Sequence, residues 1–357
     1  MSGTLDGITS TRSAFDEHVR AVSGGDTARI AAGYAAEALL VLPGGAVIEG
    51  PSNITSWFAE RGDFFASMSL RPERIEIRPG LAALGWWGEV GADRFEGRDE
   101  FDVDDRGLIT EQRVVRVSRT TRPPVGLRVE IEPPLARLVL DRDEKRNSVS
   151  QPMLAAMTAF VNEVRDTSSL RALVLSGSGR AFCAGEDVGG FEFPDVETCV
   201  RFLDGPFDFF TAVETLPKPV VVAVHGAALG FGSEVLLVAD AVYADPGSTL
   251  GFAEIDHGAV PSVLVTRGLD VVFRRRVLDL ALTGRRISAS EAYEMRLVHE
   301  LTDDPVGAAE AAARQMAEWS PAAVALVKGY LGRGAGDDHD RAREFMPAVL
   351  MQVEPAL

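Results

Sequence analysis

The run Val220-Val-Val-Ala-Val224 constrains this chain more than any other segment. A strand without a polar face must be covered on both sides, and a parallel sheet between helical layers provides that cover. The next twenty residues narrow the choice further. His225 leads into a glycine turn, Gly230-Phe231-Gly232, and an apolar helix begins near Phe231 with Glu234 in its first turn. A second strand, "AVYAD", comes next. An unpaired buried carboxylate costs several kcal/mol or keeps its proton. Glu234 therefore needs a partner or a task.

The same alternation extends around this segment. "LARLVLD" and "RALVLSG" read as short buried strands, and "QPMLAAMTAFVNEVR" and "VETCVRFLDGPFDFFTAVETL" as helices between them. Strand–helix alternation of this kind builds an α/β layer. After Ala253 the pattern is mainly helical. Upstream, "SRTTRPPVG" has the composition of a linker, which divides the chain into residues 1–121 and 125–357. In the first part Phe15, Val19 and Val22 recur at helical spacing, and a second short helix is expected through Ile30 and Tyr34. Strands follow from Leu70, with a hairpin turn at Asp104-Asp105-Arg106-Gly107. Helices before an antiparallel sheet make an α+β cone.

Charge and cysteine usage bound the function. With 357 residues and a net charge of -17, the chain repels nucleic acid and anionic membranes. Its most apolar stretch is broken by His225, glycines, Glu234 and Asp240, so no membrane span is expected. Two cysteines, Cys183 and Cys199, fit a reduced compartment. The start lacks the apolar core of a signal peptide. A cytoplasmic enzyme is the expectation.

Chemistry is expected at two glycine turns. "LSGSGRAFCAGEDVGGF" is a poor dinucleotide fingerprint, since Phe182 stands where a third glycine belongs. Its bend at Ala184-Gly185 lets a ligand approach the backbone. The turn before Glu234 repeats the arrangement. Two such turns aim two N–H donors at one oxygen, which is an oxyanion hole. A second acid, Glu254, lies twenty positions beyond Glu234. Two carboxylates beside an oxyanion hole suit proton transfer next to an activated carbonyl. His225 reads as a satisfied strand-end histidine. His299-Glu300 lacks the second histidine of a zinc helix, so no metal is expected. Arg274-Arg275-Arg276 reads as a solvated face, and Asp187 as a helix-start acid.

The blocks "RDEKRNSVS", "GRAFCAGEDV", "KPVVVAVHGAALGFGSEVLLVADAVYAD", "LGFAEIDHGAVP" and "ALTGRRISASEAYEMRLV" together resemble the enoyl-CoA hydratase/isomerase (crotonase) superfamily, from about Gly126 to Leu331. The resemblance implies an α/β spiral of ββα turns with a helical C-terminal part, and trimers or hexamers. It places the oxyanion donors on Ala184 and Phe231, and the acid–base pair on Glu234 and Glu254. It places substrate and coenzyme A contacts on Lys145, Arg146, Ala181, Phe182, Gly185, Asp187, Gly230 and Lys328. Coenzyme A enters as part of the substrate, and no tightly bound cofactor is implied. Three departures stand out. Phe231 replaces a usual glycine, which predicts a reshaped pocket. "SVLVT", Ser262 to Thr266, replaces a glycine-rich run. The chain ends in "MPAVLMQVEPAL" where most members carry a further coenzyme-A-binding helix, so an acyl-carrier-protein thioester or a free β-diketone is an alternative substrate.

Residues 10–118 resemble the SnoaL-like branch of the nuclear-transport-factor-2-like fold through "GGDTARIAAGYAAEALLVLPGG", "IEGPSNITSWF" and "DEFDVDDRGLITEQRV". Related isomerases place an aspartate before the proline where Leu42 stands. Asp99 matches their second acid, and His18, Tyr34, Asp99 and Arg113 are candidates to line a polar cavity. The other reading is a docking or dimerising cone packed around Trp57, Trp86 and Trp87. The reading for the whole chain is hydration or dehydration of a 2-enoyl/3-hydroxyacyl thioester. Its alternatives are C–C cleavage, decarboxylation or double-bond isomerisation on the same oxyanion hole, and a non-catalytic acyl-CoA-binding protein.

Overall fold

The computed structural model describes residues 2–43, 45–68, 70–121, 126–187 and 195–331. The expected linker Arg122-Pro123-Pro124 and the closing "MPAVLMQVEPAL" lie outside them. The chain divides into two units, Met1–Arg122 with Glu130–Pro133 and Pro123–Val129 with Pro134–Leu357.

The first unit opens with α1 (Ser2–Ser23) and α2 (Thr27–Ala32), continues through β1 (Tyr34–Val41) and β2 (Val47–Glu49), and adds α3 (Pro51–Ala59) and α4 (Gly62–Ser67). Four long strands then run antiparallel in order: β3 (Arg71–Arg78), β4 (Leu81–Val90), β5 (Asp93–Val103) and β6 (Ile109–Thr121). β1 joins β6 in parallel. Along β4 the side chains of Ala82, Leu84 and Trp86 are buried and alternate with more exposed neighbours, as a one-sided sheet requires. They pack with Phe15, Ile30, Phe58 and Phe101. The hairpin turn at Asp104 forms as expected, with its carboxylate accepting the N–H groups of Arg106 and Leu108. The helix expected through Tyr34 stops two residues earlier. Gly33 caps it, and Tyr34 starts β1.

The second unit is built on five parallel strands, in the order β15 (Glu300–Leu301), β12 (Ala241–Ala244), β10 (Val220–Val224), β9 (Ala172–Gly177) and β8 (Leu135–Leu140). β7 (Leu127–Glu132) precedes them. All five residues of β10 are fully buried, which is what the VVVAV run demanded. The helices are α5 (Gln151–Asp166), α6 (Val196–Glu214), α7 (Phe231–Val238), α8 (Ser262–Val271), α9 (Arg274–Thr283), α10 (Ala289–Glu294), α11 (Pro305–Ala317) and α12 (Pro321–Leu331). A small second sheet of β11 (Ala227–Leu229), β13 (Thr249–Gly251) and β14 (Arg286–Ser288) lies beyond the end of β10. None of the described helices is long and apolar enough to cross a membrane.

The ring of Phe231 packs in the interior of the second unit. It is buried against Phe209 and Phe210 of α6, with ring centroids 5.6 and 5.0 Å away. The positive φ falls on Gly230 (51°), so Phe231 bears no left-handed strain. This aromatic cluster fixes α7 to α6. Phe209→Ala is expected to destabilise the protein by about 3–5 kcal/mol, because the fully buried ring leaves a cavity. A drop in the urea midpoint at constant slope would show it.

Candidate active site

Parallel sheets bind ligands beyond the carboxyl ends of their strands. β9 and β10 are neighbours, and each runs into one of the two glycine turns. The turns are zipped together. Phe182 donates its N–H to His225 O (2.8 Å), Cys183 to Ala227 O (3.0 Å), and Leu229 to Cys183 O (2.9 Å). Gly232 sits where a Cβ would come within 2.6 Å of Cys183 O. The Cα of Gly185 lies 3.8 Å from the place a Cβ on Gly230 would occupy. Two bare glycines therefore touch. Gly185 (φ 109°) and Gly230 (φ 51°) both take backbone conformations that side chains resist.

Every buried N–H needs an acceptor, so those left over are informative. In the first turn Cys183 N–H is spent on Ala227, Ala184 N–H on Arg146 O (3.0 Å), and Asp187 N–H on Val149 O (2.7 Å). Gly185 N–H points at Cys183 Sγ (3.5 Å). Ala184, expected as the first oxyanion donor, is therefore taken. The N–H of Glu186 has no acceptor among the described residues. In the second turn Gly230 N–H goes to Gly251 O (2.9 Å), and Ser233 and Glu234 return to Gly230 O. Phe231 N–H, at the start of α7, is free among the described residues. Glu186 and Phe231, the residues that follow the two glycines, thus each carry an N–H without an acceptor among the described residues.

The carboxylates gather at the same place. Glu254 Oε1 lies 3.1 Å from the would-be Cβ of Gly230, and its Oε2 is buried without a hydrogen-bond partner. Glu234 is buried, and its Oε1 accepts the N–H groups of Val263 (2.7 Å) and Leu264 (3.4 Å). Those donors begin α8, so the unfamiliar "SVLVT" run supplies a helix N-terminus that holds Glu234. Burial pushes Glu234 well above the usual carboxylate range, with the Glu254 charge as second cause, while the Val263 N–H opposes. Burial pushes Glu254 up to about 7. Burial and then the charge of Glu254 push Glu186 up to about 7. Glu186 escaped the motif reading, although its letter lies inside "CAGEDV".

Other expected residues sort cleanly. Lys145 and Arg146 are exposed on the loop after β8, and the Arg146 carbonyl ties that loop to the first turn. Asn147 braces it. Fully buried and left-handed (φ 57°), it donates to Ser178 O and Ala181 O and accepts from Arg142 N–H. Its signal in the sequence was a lone asparagine in "KRNSV". Ala181 and Phe182 are buried, so they shape the turn through their backbone. Asp187 accepts from Arg142 (2.7 Å), an ion pair in place of the expected helix-start role. Lys328 leaves the site. It pairs with Asp240 and donates to Lys218 O (3.0 Å). Asp240 also binds Val220 N–H (2.7 Å), at the opposite end of β10 from the turns. Five strand residues put about 15 Å between them. His225 Nε2–H donates to Gly179 O (2.9 Å), as a satisfied strand-end histidine. No metal-binding group of His, Cys, Asp or Glu occurs among the described residues.

In the first unit, Trp86 (3.0 Å) and Gln112 (2.8 Å) donate to Asp99, and Tyr34 donates to Gln112. Arg113 does not join them. Strand parity turns Gln112 inward and Arg113 out to Glu111. Burial pushes Asp99 up to about 6 and His18 down to about 4.

Two neighbouring strand-end turns with N–H groups that lack an acceptor, buried Glu234 and half-buried Glu254 make up the candidate site. Residues 130–353 match the enoyl-CoA hydratase/isomerase family, and the chain belongs to that family. It is 36% identical over 181 residues to a probable enoyl-CoA hydratase of Rhodobacter capsulatus, covering 50% of this chain and 69% of that protein. It is 31% identical over 207 residues to the 1,2-epoxyphenylacetyl-CoA isomerase of Escherichia coli, covering 56% and 78%. A crystal structure of an enoyl-CoA hydratase/isomerase from Mycobacterium paratuberculosis is similar with a TM-score of 0.60 and 26% identity, over 64% of this chain and 94% of that one.

Gly230→Ala tests the contact between the turns. A methyl group there meets Glu254 Oε1 and must adopt a positive φ. Turnover is expected to fall at least tenfold with the fold retained, read from steady-state kinetics beside circular dichroism. An unaffected rate would show that the two turns need not touch.

Proposed function

We propose that this protein hydrates a 2-enoyl thioester of coenzyme A, or dehydrates the 3-hydroxyacyl thioester. The observation that carries this reading is the pairing of two unspent N–H donors, on Glu186 and Phe231, with Glu234 and Glu254 around one glycine. The thioester oxygen accepts both N–H groups. A water lies between the two glutamates. As its oxygen bonds to the β-carbon, one carboxylate takes its proton, and the electron pair moves onto the thioester oxygen as an enolate. The carboxylic acid then gives a proton to the α-carbon, and the carbonyl re-forms. Two fixed donors stabilise the enolate because they need no reorganisation when charge develops. Glu234, pinned by the start of α8, orients the water. Glu254, with Oε2 unpartnered, moves the protons. Carboxyls raised toward neutrality suit that exchange, since acid and base forms coexist there.

Isomerisation on the same enolate is the second reading, favoured by the resemblance to the isomerase from Escherichia coli. Mass spectrometry separates the two, because hydration adds a water and isomerisation leaves the mass unchanged. Glu234→Gln and Glu254→Gln are each expected to lower crotonyl-CoA turnover about 10²–10⁴-fold without unfolding. Full hydratase activity in both would end the hydratase assignment.

The first unit reads as a SnoaL-like cone that serves assembly or the docking of a larger acyl group. Leu42 replaces the expected base, and Asp99 is bound by Trp86 and Gln112. Residues 125–357 alone should therefore keep turnover on crotonyl-CoA. A folded but inactive fragment that regains activity when residues 1–121 are added would place catalytic groups in the cone.

A further inference from the structure

α8 begins without a side-chain cap of its own. The N–H groups of Val263 and Leu264 go instead to Glu234 Oε1 on α7, at 2.7 and 3.4 Å. The orientation of that carboxylate therefore depends on where a second helix starts. One turn after Val263, on the same buried face of α8, stands Arg267. A buried arginine needs a partner. Its Nε–H donates to Glu214 Oε1 at 2.7 Å, and both side chains are only 9% exposed. Its contact with the exposed Asp270 (3.4 Å) stays within α8 and anchors the helix to nothing. Glu214 closes α6, the helix that also carries Phe209 and Phe210. Those two rings hold Phe231, one turn before Glu234 on α7. α6 thus grips α7 by its phenylalanines and α8 by its last glutamate. The Glu234–Val263 hydrogen bond closes the triangle.

We propose that Glu214 and Arg267 are positioning residues: by fixing α8 on α6, their ion pair holds the Val263 and Leu264 N–H groups on Glu234, and so aims the carboxylate that orients the attacking water. The proposal rests on the thioester reading above. Stability alone is a weak reason for such a pair, since apolar residues of similar volume often replace a buried ion pair at little cost. What apolar packing does not supply is a fixed distance. Hydrophobic contact is non-directional. The fully buried Val263 and Leu264 hold α8 down without setting where it starts. A guanidinium on a carboxylate has a defined geometry, and it sets that point. The distance matters because a misplacement of about 1 Å, made far from the chemistry, can cost about 10²-fold in rate.

The double variant Glu214→Leu/Arg267→Met removes both charges together, so neither is left buried alone and the local net charge is unaltered. Its Tm should stay near that of the unaltered protein. Its kcat for crotonyl-CoA should fall about 10–100-fold with KM nearly unchanged, since the loss is in the transition state and not in substrate binding. Arg267→Lys keeps the charge and loses the planar guanidinium. It should give an intermediate kcat, and it carries every measurement if the double variant does not fold. A second readout does not depend on turnover. The Val263 and Leu264 N–H groups favour the ionised form of Glu234, while the charges of Glu254 and Glu186 oppose it and remain in place. In protein labelled with ¹³C at the glutamate carboxyls, Glu234 should therefore titrate at higher pH in both variants than in the unaltered protein. An unmoved Glu234 titration overturns the proposal, whatever happens to kcat. An unchanged kcat in an active enzyme also overturns it. No crotonyl-CoA turnover by the unaltered protein, together with a raised Glu234 titration in the variants, would sink the hydratase reading and support the positioning of Glu234 by the pair.

Discussion

The second unit depends on one close approach, that of Gly185 to Gly230. Neighbouring parallel strands deliver the two turns to the same place, and both glycines take a positive φ that residues with a side chain resist. Around that contact the hydrogen bonds are nearly exhausted. Cys183 alternates with Ala227 and Leu229, Ala184 reaches back to Arg146, and Asn147 closes the loop behind. Among the described residues the N–H groups of Glu186 and Phe231 keep no backbone acceptor. The candidate oxyanion hole is thus what remains after the backbone has satisfied itself.

The acids of the second unit divide into two kinds. Glu214 and Arg267 form a buried pair at 2.7 Å, and Asp279 and Glu291 share Arg285. Asp240 holds Lys328 and the N–H of Val220. Those are structural solutions, since a buried charge demands a partner. Glu186, Glu234 and Glu254 have no cation partner among the described residues. Raised carboxyls without a counterion are what the proposed proton transfer requires.

The first unit handles its polar interior differently. Asp99 is answered by Trp86 and Gln112, and Gln112 by Tyr34, so the donors and acceptors largely close on one another. His18 packs edge-on against Tyr34 and Phe101, and its Nδ1 finds no acceptor or donor. Burial keeps that ring neutral. A network of this kind specifies a unique core.

The sequence by itself determined a good deal. VVVAV required a strand covered on both faces, the glycines marked the turns, and Glu234 inside an apolar helix announced a carboxylate with a purpose. Such features are local, because periodicity, turn chemistry and the cost of burying charge act within a few residues. What depended on distant partners was not legible. The sequence placed a donor on Ala184 in "CAGED", and only the structure shows that N–H occupied by the carbonyl of Arg146, 38 positions upstream. Lys328 looked like a ligand contact until Asp240 claimed it, and strand parity exchanged Arg113 for Gln112. The partners of the Phe231 ring, Phe209 and Phe210 of α6, were likewise not legible. The sequence names which groups are present. Only the tertiary structure decides which are spent on the fold and which are left for chemistry, because hydrogen bonds and ion pairs are settled between residues that the chain alone does not bring together.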